Sequence, residues 1–215
     1  MNYIPIVCCF DENMILPAKV SLFALFQNAH PDTFYDVFII NRTDAITREQ
    51  KVDFDTLTQY TSRHRISFIE IDGFFESGYE VRNITIATYY RLQIPHIINQ
   101  INELHHTNYS KIIYLDVDTI PELDYWEIFS SIAFDDDKWI AGVCETPLYA
   151  HDKAPIYMSE TGIDATTYIN GGFLIMDTEA LNRNHFFEQC LLHQEKEYIC
   201  QDQDIINNDY PYIVR

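Results

Sequence analysis

The sequence predicts an α/β protein with a largely parallel sheet, on three observations. Strand-like and helix-like segments alternate along nearly the whole chain, as in βαβ units. No repeat, low-complexity tract or Pro/Gly/Ser-rich linker interrupts them, so the 215 residues (1–215) fit one domain with room for a sizeable core. A short run rich in β-branched and aromatic residues, Lys111-Ile112-Ile113-Tyr114-Leu115, ends abruptly in Asp116-Val117-Asp118. That is how a buried parallel strand meets the ligand crevice of an open sheet.

In order, residues 4–10 are apolar throughout and read as the first strand. Residues 17–28 follow as a helix, with Val20, Phe23, Ala24 and Phe26 near helical spacing. Residues 35–40 are a second strand, and 47–62 a second helix opened by a Thr47 cap. Residues 65–71 form a third strand. Residues 87–94 are helical and stop near Pro95, because the residue before a proline is pushed out of the helical region. After the strand 111–115 come strands at 139–144 and 168–177, helical segments at 178–198 and 202–208, and the start of another strand at 210–215. Residues 152–167 form a long polar connection containing Pro155 and Gly162, either a solvated insertion or a functional loop.

In a strand, residues i and i+2 point the same way, so Asp116 and Asp118 aim two carboxylates at one spot. Unpaired, they repel each other, and a positive group belongs between them. Hard oxygen donors suit Mg²⁺ or Mn²⁺, which also bind substrate phosphates. The plainer reading is a strand running into an acidic turn.

Composition narrows the partners. With 14 Lys+Arg against 33 Asp+Glu the formal charge is −19. This argues against a basic nucleic-acid surface and against a polybasic contact with anionic lipid. An anionic substrate entering such a field needs a local cation. The five cysteines are irregularly spaced, without a C-x-x-C pair, and Cys8-Cys9 sit in an apolar run. Buried thiols in a reducing cytosol are expected. No signal peptide and no membrane span is visible, so the expected location is cytoplasmic, at most peripheral to a membrane.

Four other clusters each allow two readings. Phe10-Asp11-Glu12-Asn13-Met14 follows the first strand, where Asp11 and Asn13 either meet a nucleoside or cap the next helix. Arg91, in Ala87-Thr88-Tyr89-Tyr90-Arg91-Leu92, either reaches a carboxylate of the Asp116-Asp118 metal site or a phosphate, or lies on the surface over its own stem. Gly171 and Gly172, after Tyr168-Ile169-Asn170, mark a bulge or a close approach of ligand to backbone, with Asn170 free to bond sugar hydroxyls. Gln201-Asp202-Gln203-Asp204-Ile205 is a polar helix start, with Asp202 as a cap in the plainer reading. The eight histidines, including a loop pair His105-His106 and His185 and His193 on one helix, show no metal-ligand spacing.

Taken together and in order, these clusters resemble glycosyltransferase family 8, the retaining enzymes that include lipooligosaccharide galactosyltransferases and glycogenin. Ile6-Val7 through Asp11-Glu12-Asn13 is similar to the family's first strand and its Asp-Asp-Asn motif. Ser21-Leu22, Asn28 and His30-Pro31 continue the likeness. Thr88-Tyr89-Tyr90-Arg91-Leu92 resembles Thr-Tyr-x-Arg-Leu, and Lys111 through Asp118 resembles Lys-Val-Leu-Tyr-Leu-Asp-x-Asp. Tyr168 through Gly172 resembles Tyr-Phe-Asn-[Ala/Ser]-Gly, and Gln201 through Ile205 the Asp-Gln-Asp segment.

The resemblance implies a GT-A fold, with a Rossmann-like, mixed, mostly parallel central sheet flanked by helices. It implies a hexosyltransferase using a uridine diphosphate sugar and a glycan or lipid-linked glycan acceptor. Mn²⁺ (or Mg²⁺) would be held by Asp116 and Asp118. Asp11 and Asn13 would lie near the nucleoside, Arg91 near the donor, and Asn170, Asp202 and Gln203 around the transferred sugar. Retention would follow either from front-face attack or from a covalent intermediate.

Three departures stand out. Met14 replaces a base-stacking Tyr, and Glu12 replaces the second Asp. The sequence runs to Arg215 without the family's His-x-x-Gly-x-x-Lys-Pro-Trp region, which supplies a third metal ligand. The expectation is therefore a single GT-A domain lacking that C-terminal segment. Two alternatives are kept: a donor-binding or scaffold protein with impaired turnover, and a haloacid-dehalogenase-like phosphatase with Asp116 as nucleophile and Asp118 as general acid.

Overall fold

The computed structural model describes residues 1–59, 63–72, 86–135, 137–145, 154–164, 167–193, 195–209 and 212–214. Its centre is a seven-stranded sheet. The strands are β1 Asn2–Cys9, β2 Thr33–Arg42, β3 His64–Ile71, β4 Lys111–Leu115, β5 Ile140–Cys144, β6 Ile169–Asp177 and β7 Tyr212–Val214. Their spatial order is β3-β2-β1-β4-β6-β5-β7. β3, β2, β1 and β4 run parallel, β6 is antiparallel to both β4 and β5, and β7 pairs parallel with β5. The mixed, mostly parallel sheet holds as expected, although β4 is parallel on one side only.

This order places the site. The chain winds outward from β1 to β3, then returns to lay β4 on the other side of β1. The carboxyl ends of β1 and β4 thus flank a topological switch point, where α/β sheets open a crevice. Because β6 is antiparallel to β4, with Leu115 opposite Phe173, its beginning at Asn170-Gly171-Gly172 comes to the same edge.

Alternation along the strands splits the core in two. On β1, Ile4, Ile6 and Cys8 face one layer with Ala18, Leu22 and Leu25 of α1 (Ile15–Gln27) and Phe54 of α2 (Arg48–Thr58). Val7 and Cys9 face the other, with Ile97, Ile98 and Ile101 of α3 (Ile94–His105) and Leu181 of α6 (Thr178–Arg183). Phe186 of α7 (Phe186–His193) and Ile205 of α8 (Gln201–Asp209) complete that layer. Cys8 and Cys9 are buried thiols, as expected, and burial raises both above the usual thiol range. Thr47 caps α2 in a full capping box with Gln50.

Several expectations need correction. Pro95 does not stop a helix. Ile86–Gln93 is a 3₁₀ segment, and Pro95 sits in the first turn of α3, where its missing N–H costs nothing. His105 ends that helix and His106 is its left-handed cap, rather than both lying in a loop. The segment 178–198 is two helices. The break comes at His185, which is also left-handed, so His185 and His193 do not share one helix. The connection at 152–167 carries a helix, α5 (Ala154–Thr161), while residues 152, 153, 165 and 166 lie outside the described residues. A short helix, α4 (Trp126–Ser131), had no sequence signal beyond Asp124, whose carboxylate accepts from the Trp126 N–H. No helix among the described residues is long and apolar enough to cross a membrane.

Candidate active site

A cleft of about 550 Å³ opens at the switch point, within the size range of small-ligand sites. Asp11, Arg91, Asp116, Asp118, Asn170, Asp202 and Gln203 all line it. Residues separated by most of the chain therefore meet in one place. Asn13 is the exception: it lies on the exposed 3₁₀ turn Glu12–Met14 and is not among the lining residues. Its backbone N–H donates to Asp11 Oδ1 at 2.9 Å, so Asp11 caps this turn as well as facing the cleft. Met14 also lines the cleft.

Arg91 organises the centre. Its guanidinium is buried, 7% exposed, and lies 4.5 Å over the Tyr114 ring. Nη2 is 3.2 Å from Asp116 Oδ1, and Nε is 2.6 Å from Asp202 Oδ2. The Nε–H itself is aimed at the Thr88 carbonyl, 3.0 Å away, so the contact with Asp202 is an ion pair and not an aligned hydrogen bond. Nη1 donates to the Gly171 carbonyl, and Nη2 donates to Thr88 Oγ1, which donates in turn to Asp202 Oδ1. Burial pulls the guanidinium toward neutrality, but Asp116 and Asp202 outweigh it and hold it above its ordinary value. Burial pushes Asp202 up to about 6, against the pull of Arg91 and Thr88. Asp202 is therefore an ion-pair partner of Arg91 rather than a helix cap.

The two aspartates of the Asp-x-Asp run differ from each other. β4 ends at Leu115, so both lie in the turn beyond it and strand alternation does not orient them. Val117, 4% exposed, drops into the core between them. The positive group on Asp116 is Arg91, and Tyr114 O–H also donates to Asp116 Oδ1. Asp118 is exposed and has no hydrogen bond or ion pair among the described residues. Those residues contain no cluster of three His, Cys, Asp or Glu at one point. Two carboxylates with open space beside them suit a hard divalent cation that takes its other oxygens from phosphate and water.

At the far end, α8 is zipped to β6. Asn207 Oδ1 accepts from the Ile169 N–H at 2.7 Å, and its Nδ2 donates to the Ile169 carbonyl at 2.9 Å. Gln203 Oε1 accepts from the Gly171 N–H at 2.6 Å, and Asn170 Oδ1 from the Gly172 N–H at 2.7 Å. Glu145, just past β5, accepts from both amides, Asn170 Nδ2 and, at 3.4 Å, Gln203 Nε2. Gln201, which opens α8, is held left-handed at φ 45°, a strained conformation for a non-glycine residue. A Cβ at Gly172 would stand 2.8 Å from Asp116 Oδ2 and 2.9 Å from Asn170 Oδ1, so only glycine fits there without movement.

Sequence reasoning passed over Glu145, Thr88 and Tyr114 as site residues. For Glu145 a signal existed: it follows a strand, 139–144, at the same kind of carboxyl end that singled out Asp116.

The model of glycosyl transferase family 8 matches residues 5–209. General stress protein A of Bacillus subtilis (strain 168) is 22% identical over 208 residues, covering 94% of this chain and 67% of that protein. The WbbM bifunctional glycosyltransferase superposes over 99% of this chain and 38% of its own, at 17% identity and a TM-score of 0.79. The galactosyltransferase LgtC, solved with donor and acceptor sugar analogs, does so over 96% of this chain and 70% of its own, at 21% identity and a TM-score of 0.74. These structures share the GT-A fold, and the phosphatase alternative falls with that. With the model matching nearly its whole length, the chain belongs to glycosyl transferase family 8.

Proposed function

We propose that this chain, acting as a single GT-A domain, moves a hexose from a nucleotide diphosphate sugar to a hydroxyl of a glycan or lipid-linked glycan. The donor is a uridine diphosphate hexose, and Asp116 and Asp118 hold a divalent cation, Mn²⁺ or Mg²⁺. One observation carries the reading. Among the described residues, four aspartates line the cleft against one guanidinium, and that guanidinium is already committed to two of them. A diphosphate entering this cleft in a protein of formal charge −19 meets repulsion unless a cation comes with it. Once bound, the cation offsets charge developing on the leaving diphosphate.

The chain's own residues divide the remaining work. Asp11, at the end of β1, accepts from the nucleoside, with Asn13 on the rim beside it. Arg91 locks Asp116 to Asp202, which fixes the metal end relative to the sugar end. Asn170 and Gln203 spend their amides on the backbone of 171–172 and on Glu145, so they shape the sugar end more than they contact hydroxyls. Asp202, held beside the reacting carbon, stabilises positive charge that develops there, an effect felt mainly in the transition state. Front-face attack and a covalent intermediate both retain the anomeric configuration.

The test is to incubate the protein with Mn²⁺ and uridine diphosphate hexoses and follow the products by NMR. Release or transfer of hexose with retained configuration is expected. Donor binding without turnover would instead favour the donor-binding or scaffold alternative. Neither binding nor turnover with any nucleotide sugar would contradict the proposal.

A further inference from the structure

Asp116 and Asp118 line the same cleft, yet only Asp116 is held in place. Its backbone N–H donates to the Gly172 carbonyl at 2.8 Å, fixing the main chain. Its carboxylate is then treated unevenly. Oδ1 takes the Tyr114 O–H and lies 3.2 Å from Arg91 Nη2. Oδ2 has only a 3.5 Å contact from Arg91 Nη1 and lies against the bare backbone of Gly172. The Tyr114 ring is completely buried beneath the Arg91 guanidinium, so its hydroxyl has little freedom to turn elsewhere. A phenol that donates to one carboxylate oxygen removes the rotation that would exchange the two.

We infer that Tyr114 is a positioning residue for the cation: its hydroxyl and the gap at Gly172 fix the Asp116 carboxylate in one orientation, with Oδ1 tied inward and Oδ2 left as the ligand atom. This rests on the reading of Asp116 and Asp118 as the cation's ligands. Groups that orient a ligating carboxylate typically change metal affinity by roughly ten- to a hundred-fold when removed. Tyr114 contributes no ligand atom of its own, so its effect acts entirely through Asp116.

The experiment titrates Mn²⁺ into the intact chain with saturating uridine diphosphate, by calorimetry and by Mn²⁺ paramagnetic resonance. Wild type, Tyr114→Phe, Gly172→Ala and Asp118→Asn are compared. Tyr114→Phe keeps the ring under Arg91 and should unfold cooperatively like wild type while binding Mn²⁺ roughly ten- to a hundred-fold more weakly. Gly172→Ala should weaken binding from the other side, since its Cβ would stand 2.8 Å from Oδ2. Wild-type affinity in Tyr114→Phe, with binding lost in Asp118→Asn, overturns the inference and leaves the metal reading standing. Wild-type affinity in Asp118→Asn overturns the metal reading and this inference with it. Should Tyr114→Phe fail to fold, Gly172→Ala decides: wild-type affinity there overturns the inference.

Discussion

At the β1 end of the cleft, Asp11 is fixed by a hydrogen bond to a residue two positions away, on a turn that water reaches. At the β6–α8 end, Asp202 is 3% exposed and is held by Thr88, 114 positions away, and by Arg91. The first contact is local, a carboxylate accepting from a backbone N–H on a solvent-facing turn. The other is long-range, charged and dry. The first can change side chains at small cost, because solvent replaces what is lost. The second cannot, because each charge there is tolerated only through its partner.

That difference can be broken, and Arg91→Met should break it most. It strands a buried carboxylate and frees Asp116, and removing one member of such a pair costs roughly 3–5 kcal/mol. Urea unfolding measures it. A cost below about 1 kcal/mol, the level of an exposed pair, would mean that the dry end is not held by charge.

Next in size is Asp202→Asn. With shape kept and charge removed, turnover should fall by roughly 10²–10³-fold while donor affinity is unchanged. The same variant reads the burial. Asp202 ionises at about 6 in the folded protein against 3.8 ordinarily, so its ionisation opposes folding. Its contribution is most favourable below about pH 3.8 and is lost as pH rises through 6. The stability of wild type relative to Asp202→Asn should therefore fall between those pH values, and a flat difference would contradict the burial.

Asp11→Ala should have the smallest effect on folding, about 1 kcal/mol or less, the worth of an exposed cap. A loss as large as that of Arg91→Met would erase the contrast between the two ends.

The same contrast explains what was legible in the sequence. The strands at 111–115 and 35–40, the Thr47 cap and the cap at Asp11 rest on residues within a few positions of each other, and pattern reading finds them. The Asp-x-Asp run was found from a strand argument that does not apply, since both aspartates lie beyond β4. The apolar setting of Arg91 points to a carboxylate of that run or a phosphate, and Asp116 is the carboxylate it meets. What no local pattern supplies is its other partners, Asp202 and the Gly171 carbonyl, the latter 80 positions away. A lone arginine in an apolar stretch announces a charged partner without giving the rest of its network. Pro95 misled for a related reason, because the same missing N–H that ends one helix is harmless at the start of another.

This acidic cleft should accept a diphosphate only together with a cation. Calorimetric titration of a uridine diphosphate hexose into the protein, once with Mn²⁺ and once with a chelator, tests it most directly. Measurable binding is expected with Mn²⁺ and none with chelator, and Asp118→Asn should reproduce the chelator result even when Mn²⁺ is present. Equal affinity under both conditions would contradict it.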